Sequence, residues 1–164
     1  MRRALREVET RALLSLGRTG RRSLGRIRAA DATAFAEAAG ETDPRLLDPS
    51  RPDFLLHPMY LVSLLRGPGP GLAGPPEELR PDGMYRDEVP GTDGLDVLLM
   101  AGGQRLTWHA PLRKDQDVEQ THRLISVRRK GRQPNRFLVL IVHKTWSTAG
   151  QGVVVEADET FLVR

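Results

Sequence analysis

The sequence predicts an α+β domain in which a curved antiparallel sheet covers a buried helix. Two observations carry this prediction. Helical patterns and one almost wholly apolar segment occupy the first 65 residues, whereas strand patterns follow one another from residue 95 to the end. Helices followed by a run of meandering strands are typical of a helix packed on one face of an antiparallel sheet.

At 164 residues the chain is long enough for one domain with its own core. Eighteen consecutive apolar residues occur nowhere, and the N-terminus lacks the apolar core of a secretory signal. We therefore expect no membrane span and a cytoplasmic location. Cysteine is absent, which excludes disulfides and thiolate catalysis, and the four histidines lack metal-binding spacing. We expect neither a metal nor another cofactor.

Positive charge is slightly in excess, with 25 Lys and Arg against 21 Asp and Glu. Much of it lies in residues 1–28 and in the turn at residues 128–132. Arginine clusters bind phosphates and carboxylates, so a nucleic acid, a phosphorylated cofactor such as coenzyme A and an acidic carrier protein are compatible partners. A solvated surface explains the clusters equally well. No helix-turn-helix, zinc or aromatic RNA-binding pattern accompanies them, so we do not expect a nucleic acid.

Three elements are predicted before residue 41. Residues 1–16 have the apolar spacing of a short amphipathic helix that either packs on the domain or frays. Residues 21–27 alternate in character, which favours an edge strand. Residues 30–39 are mostly strong helix formers, and Gly40 suits the C-terminal cap of that helix.

The next region is predicted to be a loop, a buried helix and a second loop. Residues 41–56 are punctuated by Pro and Asp, and His57-Pro58 then opens the apolar segment 59–65. Proline is well placed in the first turn of a helix. Apolar side chains surround this segment almost completely, which predicts a buried helix. Residues 67–94 hold many Gly and Pro residues with little periodicity, so we expect a long surface excursion.

From residue 95 onward, runs rich in β-branched and aromatic residues alternate with turn residues. The pair Gly102-Gly103 separates the first two runs and predicts a bulge. The predicted strands are residues 95–100, 105–109, 118–129, 136–147 and 152–163.

A short segment after the second predicted helix carries the clearest signature. Its residues are Gly40-Glu41-Thr42-Asp43-Pro44-Arg45-Leu46. They resemble the Gly-Asp-x-Asn-Pro-x-His motif of MaoC-like, (R)-specific enoyl-thioester hydratases and dehydratases. Glu41 stands where the family has Asp, Asp43 where it has Asn, and Leu46 where it has His.

Two later segments resemble the same family in the same order. Residues 101–113 resemble the family's strand that ends in a Pro-Leu-Arg turn, and residues 151–155 resemble its late turn and closing strand. The resemblance covers residues 20–164 and implies the hotdog fold, a curved antiparallel sheet wrapped around a long buried helix. Residues 1–19 then form a basic helical extension. The chain is most similar to the degenerate N-terminal hotdog unit of two-unit dehydratases.

The resemblance implies a chemistry that this sequence carries only in part. Family members add water to an enoyl thioester, or remove it, with an Asp and a His, and a backbone N–H at the start of the buried helix polarises the carbonyl. Glu41 is the candidate for the Asp, and His57 is the candidate replacement for the missing His. Pro58 has no N–H to donate. The candidate substrate-binding residues are Asp43, Pro58, Met59, Gly102 and Gly103.

Each candidate also has a purely structural interpretation. His57 then caps the helix or packs against the preceding loop, while Glu41 and Asp43 bind loop amides or pair with arginines. Trp108 and Trp146 are expected to be core or interface anchors. Ordinary strand alternation explains the other histidines, which are His109, His122 and His143.

Three functions are compatible with these features. The first is a dehydratase or hydratase subunit that helps to form the acyl tunnel while a partner hotdog supplies the Asp and His. The second is a self-sufficient homodimer that uses Glu41, with His57, on a specialised acyl or polyketide substrate. The third is a non-catalytic protein that binds an acyl thioester or acts as a scaffold.

The expected partners follow from the same resemblance. The thioester is one of coenzyme A or of an acyl carrier protein. A lone hotdog exposes a sheet edge, so we expect a homodimer or a heterodimer with a catalytic MaoC-like hotdog subunit.

Overall fold

The computed structural model describes residues 2–63, 78–132 and 134–164, which form helices on one side of a five-stranded antiparallel sheet. In chain order the elements are α1 (Arg2–Ser15), β1 (Thr19–Arg26), α2 (Ala29–Ala38), α3 (Pro44–Leu47), α4 (Pro58–Ser63), β2 (Leu99–Trp108), β3 (Asp117–Lys130), β4 (Phe137–Thr148) and β5 (Gly152–Val163). The strands lie in the order β1-β3-β4-β5-β2, so β1 and β2 are the edges. The predicted α+β class is confirmed.

The central strand β4 shows how the sheet separates its two faces. Its side chains alternate between buried and half-buried along all 12 residues, as the pleat of a strand with one covered face requires. The buried side chains define the inner face of the sheet and are Leu138, Leu140, Val142, Lys144, Trp146 and Thr148.

Two apolar clusters lie on this inner face. Helices α2 and α4 cover the first cluster, which contains Tyr60 and Trp146. Helix α1 and the segment around Val89 cover the second cluster, to which α1 contributes Val8 and Ala12. These two side chains lie four positions apart and share one face of the helix. Helix α1 therefore packs on the sheet.

Most of the predicted elements coincide with observed ones. Helix α1 and edge strand β1 lie where the sequence predicts them. Helix α2 ends just before Gly40, whose φ of +76° lies in the left-handed region that favours glycine. Strands β3, β4 and β5 begin and end within one residue of the predicted bounds.

The sequence-based prediction is wrong about the number of strands between residues 95 and 109 and about the loop 41–56. The predicted strands 95–100 and 105–109 form one strand, β2, which starts at Leu99 and continues through the glycine pair. Gly102 is the extra residue of a bulge, as predicted, so the glycines bend the strand without ending it. The predicted loop 41–56 contains the one-turn helix α3, which is too short to show a period in the sequence.

The predicted buried helix begins at Pro58 and is buried on only part of its surface in the single chain. Tyr60 and Leu61 are buried, whereas Met59 in the first turn is 39% exposed. Leu64 and Leu65, which belong to the same prediction, lie outside the described residues. Within the described ranges, no helix is both long enough and apolar enough to cross a membrane.

The predicted surface excursion 67–94 is partly wrong. Residues 67–77 lie outside the described part of the chain, but residues 78–94 pack over the sheet and bury Tyr85 and Val89. Polar contacts of Arg80 hold this segment, because its guanidinium donates to the carbonyl oxygens of Thr92 and Val97 at 2.8 Å each. Such contacts leave no periodic pattern in a sequence.

Candidate functional site

Glu41 is positioned by the end of helix α2. The left-handed turn at Gly40 reverses the chain, and the Glu41 amide donates to the carbonyl oxygen of Ala36 at 3.0 Å. This closing hydrogen bond is the usual end of a helix with a glycine cap. From this position the Glu41 carboxylate reaches His57, just before helix α4.

His57 lies at that start and contacts Glu41 directly. Its Nε2 atom is 3.1 Å from Oε1 of Glu41, and its Nδ1 atom accepts the Met59 amide at 3.0 Å. Because Nδ1 is an acceptor, the hydrogen-bond network assigns the ring proton to Nε2, which donates it to the carboxylate. The Phe35 ring packs beside the imidazole, with 5.3 Å between ring centroids.

The first two amides of helix α4, those of Met59 and Tyr60, are both engaged. The Met59 amide is bound by the His57 ring, and the Tyr60 amide donates to the His57 carbonyl oxygen at 2.9 Å. Pro58 has no N–H. A ligand oxygen that is to accept a hydrogen bond from the Met59 amide must therefore displace the imidazole.

Asp43 has a structural role at the start of helix α3. One of its oxygens accepts the Arg45 amide at 2.9 Å, and its carboxylate also binds the Arg45 guanidinium at 2.6 Å. These hydrogen bonds to Arg45 hold the pKa of the Asp43 carboxyl below its usual value. Asp43 is thus an N-cap whose carboxylate is already engaged.

Gly102 and Gly103 lie away from the Glu41–His57 pair. They form the bulge of β2 opposite Phe161 and Thr160. At about 3.3 Å per residue, Gly103 is about 17 Å along the strand from Trp108. The structure therefore brings together Glu41, His57, Pro58 and Met59, and it places the two glycines elsewhere.

An apolar cleft with a volume of about 290 Å³ adjoins His57. His57 supplies its polar end, and the other lining side chains are apolar. The sequence-based interpretation missed this cleft, although Pro111 and Leu112 belong to one of the segments that resemble the family. The lining residues are Leu55, Leu56, His57, Pro58, Leu61, Trp108, Ala110, Pro111 and Leu112.

The other histidines form separate local contacts. His143 Nδ1 lies 2.8 Å from Asp158 on the outer face of the sheet, and His109 lies 3.5 Å from Glu156. The half-buried His122 packs against Gly20, and burial lowers the pKa of its imidazole. Among the described residues, no group of His, Asp and Glu side chains could hold a metal ion.

A buried ionic cluster separates the two apolar clusters on the inner face. Lys144 is only 3% exposed, and its ammonium contacts Glu159 at 2.7 Å and also pairs with Glu88. Glu88 comes from the segment that covers the second apolar cluster. The sequence-based interpretation missed this cluster because its members are distant in the chain.

Residues 22–157 match the protein family described as FAS1-like, dehydratase domain region. The match spans most of the chain. The chain belongs to this MaoC-like dehydratase family. The predicted family is therefore confirmed. In this dehydratase domain the signature keeps its helix-ending glycine and its proline, while the half-buried Leu46 occupies the position of the family's histidine.

Solved structures confirm the hotdog fold of this dehydratase domain. An (R)-hydratase from A. caviae involved in PHA biosynthesis is 21% identical, with a TM-score of 0.56 over 89% of this chain and 94% of that chain. The ChsH1-ChsH2 complex from Mycobacterium tuberculosis is 16% identical, with a TM-score of 0.64 over 99% and 92%. A MaoC-like dehydratase from Phytophthora capsici is 18% identical, with a TM-score of 0.61 over 94% and 48%. No curated protein matches the chain in sequence.

Proposed function

We propose that this chain is the supporting hotdog subunit of an acyl-thioester dehydratase or hydratase, in which a partner hotdog supplies the catalytic Asp and His. The observation that carries the proposal is the closed chain of hydrogen bonds from Glu41 through His57 to the Met59 amide. The groups that would have to act on a substrate here are bound to one another.

The chemistry of the family explains why this closure matters. Adding water to an enoyl thioester requires a base for the water, an acid for the α-carbon, and donors for the charge that develops on the thioester oxygen. In this chain the His57 ring uses both nitrogens within the protein, and the Met59 amide is occupied. Leu46 offers no proton where the family signature has His.

The apolar cleft gives the supporting subunit a function of its own, which is to bind the acyl chain. Its walls are aliphatic and aromatic, and its polar end lies at His57, next to the start of helix α4. An acyl chain gains free energy when it leaves water for such a surface, by about 0.8 kcal/mol per buried CH₂ group. The subunit would then hold the acyl chain while the partner acts on the thioester.

Two of the similar structures support an assembly of two hotdog units. One is a complex of two different proteins, ChsH1 and ChsH2. The other, the Phytophthora capsici dehydratase, is about twice as long as the segment matched here, since 48% of it is covered. We propose the corresponding arrangement for this chain, with a catalytic MaoC-like subunit as its partner and a thioester of coenzyme A or of a carrier protein as substrate.

The test is a comparison of the purified chain alone with the chain mixed with a MaoC-like hotdog subunit that has an intact Asp and His. Hydration of crotonyl thioesters and dehydration of 3-hydroxyacyl thioesters are followed with both carriers. We expect turnover in the mixture to exceed that of either protein alone by at least about a hundredfold. Equal turnover by the chain alone would refute the supporting role. Tight binding with no turnover in any mixture would instead indicate a non-catalytic thioester-binding protein.

A self-sufficient homodimer is the second candidate, and the 3.1 Å contact between His57 and Glu41 at the polar end of the cleft favours it. A thioester oxygen that takes the Met59 amide would release Nδ1 of His57. The ring could then accept a proton while Nε2 stays bound to Glu41. This function needs both side chains.

Substitutions separate the two candidates. In a self-sufficient enzyme, Glu41→Gln and His57→Ala each lower the turnover of the chain alone by about a hundredfold at unchanged folding. The matched control is His109→Ala, because His109 also lies near a glutamate but outside the cleft. Turnover at the unsubstituted rate in both variants would exclude the self-sufficient enzyme.

A further inference from the structure

Trp108 is the last residue of the edge strand β2, and like Leu55 it is a partly exposed apolar side chain of the cleft. Its indole is 38% exposed, whereas the cleft residues Leu56, Leu61 and Leu112 are buried. Trp108 and His57 line the same cleft. The indole and Leu55 therefore belong to the exposed part of a cleft whose buried part is aliphatic.

Hydrogen bonds of the sheet hold the backbone at Trp108, whereas the Trp108 side chain is partly exposed. Trp108 pairs with Val155 of β5, and the next amide, that of His109, donates to the carbonyl oxygen of Val154 at 2.9 Å. In the described part of the chain, β2 pairs with β5 alone, so the indole has strand neighbours on one side only. A side chain that is partly exposed on a hydrogen-bonded backbone can contact a ligand in the cleft.

The second tryptophan, Trp146, has the burial expected of a core residue. Trp146 lies in the same cross-strand row, since Val155 pairs with both residues, yet it is only 1% exposed. Burial of a tryptophan side chain contributes strongly to stability, and the Trp146 side chain is fully buried. Trp108 leaves over a third of its surface uncovered, so packing among the described residues does not account for that part of the indole.

We propose that Trp108 is the specificity-determining side chain of the acyl site and sets the length of the acyl chain that the cleft accepts. This inference rests on the proposed function, because it takes the cleft to be the acyl site. The cleft volume of about 290 Å³ lies just below the range for small-molecule sites, about 300 to 1,000 Å³. With the indole in place, the cleft fits a short or medium acyl chain.

The first experiment measures binding, so it does not depend on turnover. Dissociation constants are determined for butyryl-, octanoyl- and dodecanoyl-CoA, which are saturated and cannot react. Replacing the indole by a methyl group extends the cleft, so Trp108→Ala should raise the ratio of dodecanoyl to butyryl affinity by about tenfold or more. Trp108→Phe should give an intermediate ratio. The matched control is Met100→Ala, which removes another exposed apolar side chain of β2 away from the cleft.

Fluorescence provides a second readout, because the chain contains only two tryptophans. In the Trp146→Phe variant all tryptophan emission comes from Trp108, and octanoyl-CoA should change it in a saturable manner. In the Trp108→Phe variant the emission of the buried Trp146 should change much less. Equal responses of the two variants would contradict a direct contact.

An unchanged ratio of affinities in Trp108→Ala would overturn the inference. So would a loss of the partner complex without a change in that ratio, because Trp108 would then be an interface anchor. The proposed function has its own readout, which is turnover in the complex. A shifted ratio without turnover leaves the role of Trp108 standing and refutes the catalytic proposal, whereas turnover with an unchanged ratio does the reverse.

Discussion

The Nε2 atom of His57 lies 3.1 Å from Oε1 of Glu41, while Nδ1 of the same ring accepts the Met59 amide. One imidazole thus joins the end of helix α2 to the start of helix α4. A neutral imidazole with one donor and one acceptor nitrogen has no further capacity once both are used. The contact links two helices at the position where the family signature has its catalytic residues.

The first prediction concerns His57→Ala. The substitution removes the side chain that binds the Met59 amide, which acts as a cap of helix α4, so the free energy of unfolding should fall by about 1 kcal/mol. Turnover of the complex with a catalytic partner should stay within about twofold, because in the proposed arrangement the partner supplies the proton relay. Urea denaturation and steady-state assays measure the two effects. A large loss of turnover at unchanged stability would contradict the structural role.

The second prediction concerns the buried cluster around Lys144. Lys144→Met leaves the carboxylates of Glu88 and Glu159 without their cation, which should lower the free energy of unfolding by about 3 to 5 kcal/mol. Lys130→Met is the matched control, since Lys130 is exposed and should change stability by less than about 0.5 kcal/mol. Denaturant titration of both variants gives the comparison. Equal free energies of unfolding for the two variants would contradict the ion pairs of Lys144 with Glu88 and Glu159.

The third prediction is a pH dependence that originates from His122. Burial lowers the pKa of His122 below the unfolded value of 6.5, so the unfolded chain binds more protons in mildly acidic solution. The resulting stability is present above pH 6.5 and is lost as the pH falls through the lower, folded pKa. His122→Asn removes this titration. The difference in unfolding free energy between the two proteins should therefore change between pH 7 and pH 5.

Denaturation series at several pH values measure that difference. The native protein should lose stability more steeply than His122→Asn as the solution is acidified. Parallel curves would mean that His122 titrates with the same pKa in the folded and unfolded chains.

The fourth prediction concerns the contact of helix α1 with the segment around Gly91. A Cβ atom at Gly91 would lie 2.7 Å from the Ala12 nitrogen, and the φ of +91° adds backbone strain. Gly91→Ala should therefore destabilise the protein by about 1 to 3 kcal/mol more than Gly83→Ala. Gly83 is a suitable control because it has a similar φ of +81° and open space around its Cβ position. Thermal unfolding of the two variants measures this difference. Equal midpoint temperatures would contradict the close contact between Gly91 and Ala12.

The sequence predicts the elements of this fold well because the signals of a helix or strand are local. The β-rich composition of β4 and the glycine that ends α2 are visible without any knowledge of partners. The bulge at Gly102 is visible for the same reason, but the continuity of β2 through it depends on pairing with β5. Four residues of α3 are too few to define a period.

The site is less predictable because its residues meet only after the chain folds. Glu41 and His57 are each recognisable as candidates, but their hydrogen bond depends on the packing of two helices. Lys144 and Glu88 are 56 positions apart, and nothing in the local sequence of either indicates the other. The cleft beside Trp108 is formed by two segments, residues 55–61 and 108–112, so its walls appear in no single motif.

The most direct test of the supporting role exchanges inactivating substitutions between the two subunits of the complex. In one complex this chain carries Glu41→Gln and His57→Ala together, and in the other the partner's Asp and His are replaced. We predict that the first complex keeps turnover within about twofold of the unsubstituted complex, while the second loses at least about a hundredfold. The opposite result, with turnover lost in the first complex and kept in the second, would contradict the supporting role.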